Sequence, residues 1–261
     1  MLGFRQTTPI IKHFSMSLPR KIIEFTHRER LEDKDVRFIA QTLGGENPRE
    51  QEGVIQLLID PEEKKTRDKL LDAPKLSEAL GDETRFLNVS MSLFLYVNVR
   101  PFLKKFGVAD PSVAAFVSAN LAEAPRSQTQ VEISEKVDRR LTPKQRWNLF
   151  KARRPYAYMV ELSRRLRGVE GSRRFDELIK IGNEALFISG FCEQTVAARH
   201  ASKIAPQKDY YERFAAANYE AAGKTDEAYR AGLEDTLGAL SSRISEVSQA
   251  LSSMRRDFEN W

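Results

Sequence analysis

Glu184, His200 and Tyr210 are the side chains of this chain whose types could together do acid/base work: a carboxylate, an imidazole and a phenol. Glu184 and its neighbour Asn183 interrupt an otherwise apolar and small-residue run, Ile181-Gly182-Asn183-Glu184-Ala185-Leu186-Phe187-Ile188-Ser189-Gly190-Phe191. A carboxylate inside a buried helix requires a partner or a shifted pKa. Arg174, His200, Tyr210 and Tyr211 are the candidates for that partner. Such residues more often form a satisfied polar network that fixes helix register. That is the expectation here, so no catalytic residue is assigned and an enzyme built on Glu184, His200 and Tyr210 is the weaker alternative.

The second constellation is electrostatic. From Lys136 to Arg174 the chain carries thirteen Lys/Arg against three acids, Asp138, Glu161 and Glu170. The whole chain is +5, so this block at +10 leaves the remainder at −5. Lys144, Arg146, Lys151, Arg153, Arg154, Arg164 and Arg165 share one expected helix with Trp147. Guanidinium groups bind phosphates bidentately and aromatics stack on bases, so these residues are the candidate nucleic-acid-binding set. The bland alternative is a solvated face, or one paired with the acidic remainder inside the fold.

Other chemistry finds no support in the residue pattern. Three dispersed histidines, His13, His27 and His200, give no metal-ligand spacing. No phosphate-binding glycine loop, dinucleotide fingerprint, HExxH or GxSxG is present, so neither metal nor cofactor is expected. The single cysteine, Cys192, permits no internal disulfide and favours a reducing compartment. The first residues contain no apolar stretch of signal-peptide length, and the apolar run 89–99 is too short to span a bilayer. A cytoplasmic protein without membrane contact is expected.

The elements that must position these groups read as helices. Residues 33–43 form one, ended by Gly44-Gly45, and Pro48 opens the next. Asp60-Pro61-Glu62 and Asp72-Ala73-Pro74 have the order of helix starts. Residues 84–106 are apolar nearly all round, as in a central helix, with Pro101 expected to bend it or end its first half. Their aromatic and β-branched content keeps a strand open for 89–99. Asp110-Pro111 starts an amphipathic helix carrying Val113, Phe116, Val117 and Leu121, with Asn120 as a polar intruder. Residues 125–140 are the expected linker between an N-terminal helical part, 1–124, and a C-terminal one, 141–261. The two could pack as one domain. Ser172 is expected to cap the helix to Cys192, whose Gly182, Ala185, Ser189 and Cys192 form a stripe for close helix packing.

The tail has the clearest pattern. Leu233, Leu237, Leu240, Ile244, Val247, Leu251, Met254 and Phe258 alternate spacings of four and three. This predicts one long amphipathic helix over 226–258 with a heptad seam. Its flanking positions offer little charge pairing, so the seam is expected to dock inside its own chain. A subunit interface is the alternative.

The C-terminal half resembles a family of uncharacterised helical bacterial proteins, from about Tyr156 to Tyr219. The resemblance rests on Arg174-Phe175 with Ile181-Gly182-Asn183, on Leu186-Phe187-Ile188-Ser189-Gly190-Phe191, and on Asp209-Tyr210-Tyr211. Cys192-Glu193 departs from the family's usual Phe-Pro or Phe-Ser step. The resemblance implies a fold and a bacterial origin, and no activity. The expectation is an all-α, irregular multi-helix bundle with a long C-terminal amphipathic helix. Its expected role is that of a non-enzymatic interaction or adaptor protein, with a protein partner or self-association. Nucleic-acid or polyanion binding through 144–174 is the alternative.

Overall fold

The computed structural model describes residues 31–60, 62–80, 89–132, 163–164, 166–202 and 205–259. Among these residues the chain is all-α, with twelve helices and no strand. The helix expected near the N-terminus, from Arg20, lies outside the described residues.

Helices α1 (Asp33–Gly44) and α2 (Pro48–Ile59) form a tight hairpin. Gly45 ends α1, and the Asn47 side chain accepts the Arg49 N–H to start α2 behind Pro48. Helix α3 (Lys64–Leu71) begins later than the Asp60-Pro61-Glu62 signal suggests. The Asp60 carboxylate accepts the Glu62 N–H at 2.9 Å, a local turn that competes with helix. Helix α4 (Pro74–Leu80) follows and packs on α1 and on α5 (Met91–Lys105).

Ser90 caps α5 by accepting the Leu93 N–H at 3.0 Å. The fully buried Asp35 reaches across from α1 and accepts the Ser90 N–H at 2.6 Å. An acidic side chain at this helix start also suits the macrodipole. The region is helical rather than a strand, and α5 runs through Pro101 to Lys105 instead of ending its first half there. Helix α6 (Pro111–Glu132) starts with the Asp110 carboxylate accepting the Ser112 N–H. It extends over the first eight residues of the segment expected as a linker.

The C-terminal helices are α7 (Gly171–Phe191), α8 (Glu193–Ala201), α9 (Lys208–Gly223), α10 (Asp226–Ala231), α11 (Glu234–Ser242) and α12 (Ile244–Glu259). Extended backbone at Glu170, not Ser172, leads into α7, so Ser172 already lies in its first turn. The expected single tail helix is three helices. Gly232 adopts φ 62°, ψ 32°, and the Leu233 N–H bonds back to Ala228 O at 3.0 Å. This left-handed closure ends α10 and forces a new start. A second break falls at Arg243, whose guanidinium bonds Glu246 at 2.8 Å and Gly107 O at 3.3 Å.

The seam survives both breaks. Leu233, Leu237, Leu240, Ile244, Val247, Leu251 and Met254 are all buried within the chain. Helix α7 packs most extensively on α9, and α12 lies against α7, α9 and α5. Helices α5 and α6 pair, and α6 also meets α11. One continuous core therefore joins helices from both sides of the expected linker.

Candidate functional site

Two polar intruders in apolar helix faces find one another. The Asn183 amide on α7 donates to Asn120 Oδ1 on α6 at 2.6 Å, and Tyr219 on α9 donates its hydroxyl to Asn183 Oδ1 at 2.8 Å. The Tyr219 ring is fully buried and meets Phe116 edge-on, with centroids 5.9 Å apart. Gly182 makes this approach feasible. A Cβ there would lie 2.7 Å from Tyr219 Cε1, inside any real contact. Burial pushes the Tyr219 phenol above its ordinary range, so it stays a neutral donor. The arrangement joins three helices in one register. Asn120 and Asn183 were visible in the sequence as exceptions to amphipathic patterns, whereas nothing in the sequence singled out Tyr219.

Glu184, His200 and Tyr210 sit on three successive helices. Glu184 is half-buried on α7. His200 is exposed at the end of α8, with Nδ1 3.2 Å from Ala205 O and Nε2 3.0 Å from the Gln207 amide. The Tyr210 ring, in the first turn of α9, stacks on Phe214 and meets Tyr211 edge-on. Cys192 is a buried thiol, and Gly182, Ala185, Ser189 and Cys192 all face the core as the stripe requires.

Other buried polar groups also join helices. Arg100, almost fully buried on α5, grips Asp72 with Nε to Oδ1 at 2.6 Å and Nη2 to Oδ2 at 3.1 Å. Its Nη1 donates to Ala109 O at 2.9 Å, and Lys104 lies 2.6 Å from Asp72. Burial alone would raise the Asp72 carboxyl, but the hydrogen bonds from Arg100 and Lys104 outweigh it and hold it below its ordinary value. Ser252 donates to Gly190 O at 2.8 Å and Arg255 donates to Phe191 O. These two α12 side chains satisfy carbonyls that the end of α7 leaves open.

An opposite electrostatic case lies at the start of α7. Burial, reinforced by the Glu177 and Glu227 carboxylates, pushes the Asp176 carboxyl up to about 6 from 3.8. A group whose folded pKa is raised favours the fold below its unfolded pKa. That contribution is lost as pH rises through the folded value. The charge on Asp176 is therefore unfavourable above about 6 and relieved toward 4. The stabilising effect of Asp72 is lost only at lower pH, so the two windows are separate. Asp176→Asn should raise the unfolding free energy read from urea titration at pH 7, by no more than about 1 kcal/mol once solvent screening of this partly exposed group is discounted. It should also flatten the gain the wild type shows between pH 7 and 5. A variant less stable than wild type at pH 7 would contradict this.

Of the candidate nucleic-acid-binding set, Lys144, Arg146, Trp147, Lys151, Arg153, Arg154 and Arg165 lie outside the described residues. Arg164 is described and exposed. Arg167, Arg173 and Arg174, from the same basic block, are also exposed. Among the described residues no group of His, Cys, Asp and Glu could hold a metal ion, and no helix is long and apolar enough to cross a membrane. No family model, curated protein or solved structure matches the chain.

Proposed function

We propose that this chain is a non-enzymatic helical interaction protein that works by binding a protein partner or a second copy of itself. One observation carries the reading: several polar side chains built into the core hold helices to each other. Asn120, Asn183 and Tyr219 join α6, α7 and α9. Arg100 ties α5 to Asp72, Asp35 ties α1 to Ser90, and Ser252 and Arg255 tie α12 to the end of α7. Hydrogen bonds of this kind between helices fix the register of a fold. A rigid scaffold lowers the ordering cost of presenting a surface to a partner. The buried thiol of Cys192 supports a reducing, cytoplasmic setting. The run from Ile181 to Phe191 with Asp209-Tyr210-Tyr211 supports a place among uncharacterised helical bacterial proteins.

The test is reconstitution. Full-length protein purified gently from its own cells should carry a stoichiometric protein partner, or assemble with itself. The complex should re-form from pure components with saturable binding. A turnover in the same preparation that Glu184→Gln abolishes, with the melting temperature unchanged, would replace this reading with the enzyme one.

A further inference from the structure

The described end of the basic block is a solvent-facing arginine edge. Arg164 is helical, Arg167 lies in the turn before α7, and Arg173 and Arg174 lie in the first turns of α7. All four are exposed, and Glu170 is the one acid among residues 164–174. Among the described residues the guanidiniums of Arg167, Arg173 and Arg174 have no ion-pair partner. Elsewhere on the surface, cations such as Lys208, Arg213, Lys224 and Arg243 pair with nearby carboxylates. Among the described residues, pairing with the acidic remainder of the chain therefore does not account for Arg167, Arg173 and Arg174.

The positions also work against the local helix. Arg173 and Arg174 stand at the positive end of the α7 macrodipole, where acids are favoured, and no acid occupies that first turn. Several like charges near one helix start repel one another and the dipole. They lower the stability of the free protein, and an anion would reverse the sign of each of those effects. Within the block from Lys136 to Arg174, ten of the thirteen cations are arginine. That composition suits planar, two-pronged recognition of phosphate oxygens better than point-charge attraction.

We infer that the edge formed by Arg167, Arg173 and Arg174 binds the phosphodiester backbone of a nucleic acid. This goes beyond the interaction role proposed above and stands independently of it. Contact is through phosphates, so binding is sequence-tolerant and falls steeply with salt as counterions are released.

The experiment uses the full chain and a labelled 20-nucleotide strand, alone and as a duplex, titrated at 50 and 200 mM salt. The wild type should retard one or both probes, and the two probes report whether single-stranded or duplex backbone is preferred. Combined replacement Arg167→Gln, Arg173→Gln and Arg174→Gln should weaken binding at 50 mM at least about tenfold. It should also flatten the salt slope by about 2, from roughly 0.7–0.9 per phosphate contact. Glu170→Gln, which removes the one acid of the edge and disturbs no packed side chain, should tighten binding about two- to threefold and serves if the triple variant folds poorly. No retardation at 50 mM salt overturns the proposal. So does unchanged binding in both variants, which would place the contact elsewhere. Equal competition by poly-glutamate, charge for charge, would assign the edge to acidic protein instead.

Discussion

Tyr219→Ala should be among the most damaging single substitutions in this protein, costing about 3–5 kcal/mol, the range for removing a buried large aromatic side chain. The ring is fully buried, lies edge-on to Phe116 and fills the space that Gly182 leaves open on α7. Its hydroxyl is the donor to Asn183 Oδ1, so truncation also strips a half-buried acceptor of its partner. Total stabilities of domains run about 5–15 kcal/mol, so the loss is a large fraction of what holds the fold. In a chain of this length the melting temperature should fall by roughly 10 °C. Tyr219→Phe separates the two contributions. It keeps the ring, removes only the hydrogen bond, and should cost about 1–2 kcal/mol. A Tyr219→Ala protein melting within 2–3 °C of wild type would show that the α6–α7–α9 junction contributes little.

Leu237→Ala and Leu251→Ala should each cost about 2–5 kcal/mol. They lie on α11 and α12, on opposite sides of the break at Arg243, and both are buried to within about 1% of completeness. If the break made the tail two loosely related pieces, only one of the two substitutions would be severe. Because the seam stays in phase across Arg243, both should be. The same pair distinguishes internal docking from subunit contact. Burial inside the chain predicts urea midpoints that do not change over a tenfold range of protein concentration. A midpoint that rises with concentration would mean that stability is linked to association.

The helical class and much of the order of the core were legible in the residues because they are local properties. Pro48 and Asp110-Pro111 announce helix starts, and each acts within one turn of itself. The four-three spacing from Leu233 to Met254 determined which tail residues would be buried, since a periodic face has one side to hide. It did not determine that the tail is one rod. Gly232-Leu233 was the readable signal of a break, a helix closure in which glycine takes the left-handed conformation. Its effect was hidden beneath a seam that continues across it. The break at Arg243 had no local signal, because its guanidinium is held partly by Gly107 O, far away in sequence.

The candidate site divides in the same way. The sequence determined that Asn120 and Asn183 were exceptions in apolar faces, and that a burial cost had to be offset somewhere. Only the tertiary structure decided that Asn183 meets both Asn120 and Tyr219. The partners sit on three helices separated by long stretches of chain, and no spacing rule connects them. The charge of the basic block is likewise a sum over residue types and needs no fold. Whether its arginines pair inward or face solvent depends on which acids the fold brings near. Among the described residues Arg167, Arg173 and Arg174 have no ion-pair partner, and the three side chains are exposed.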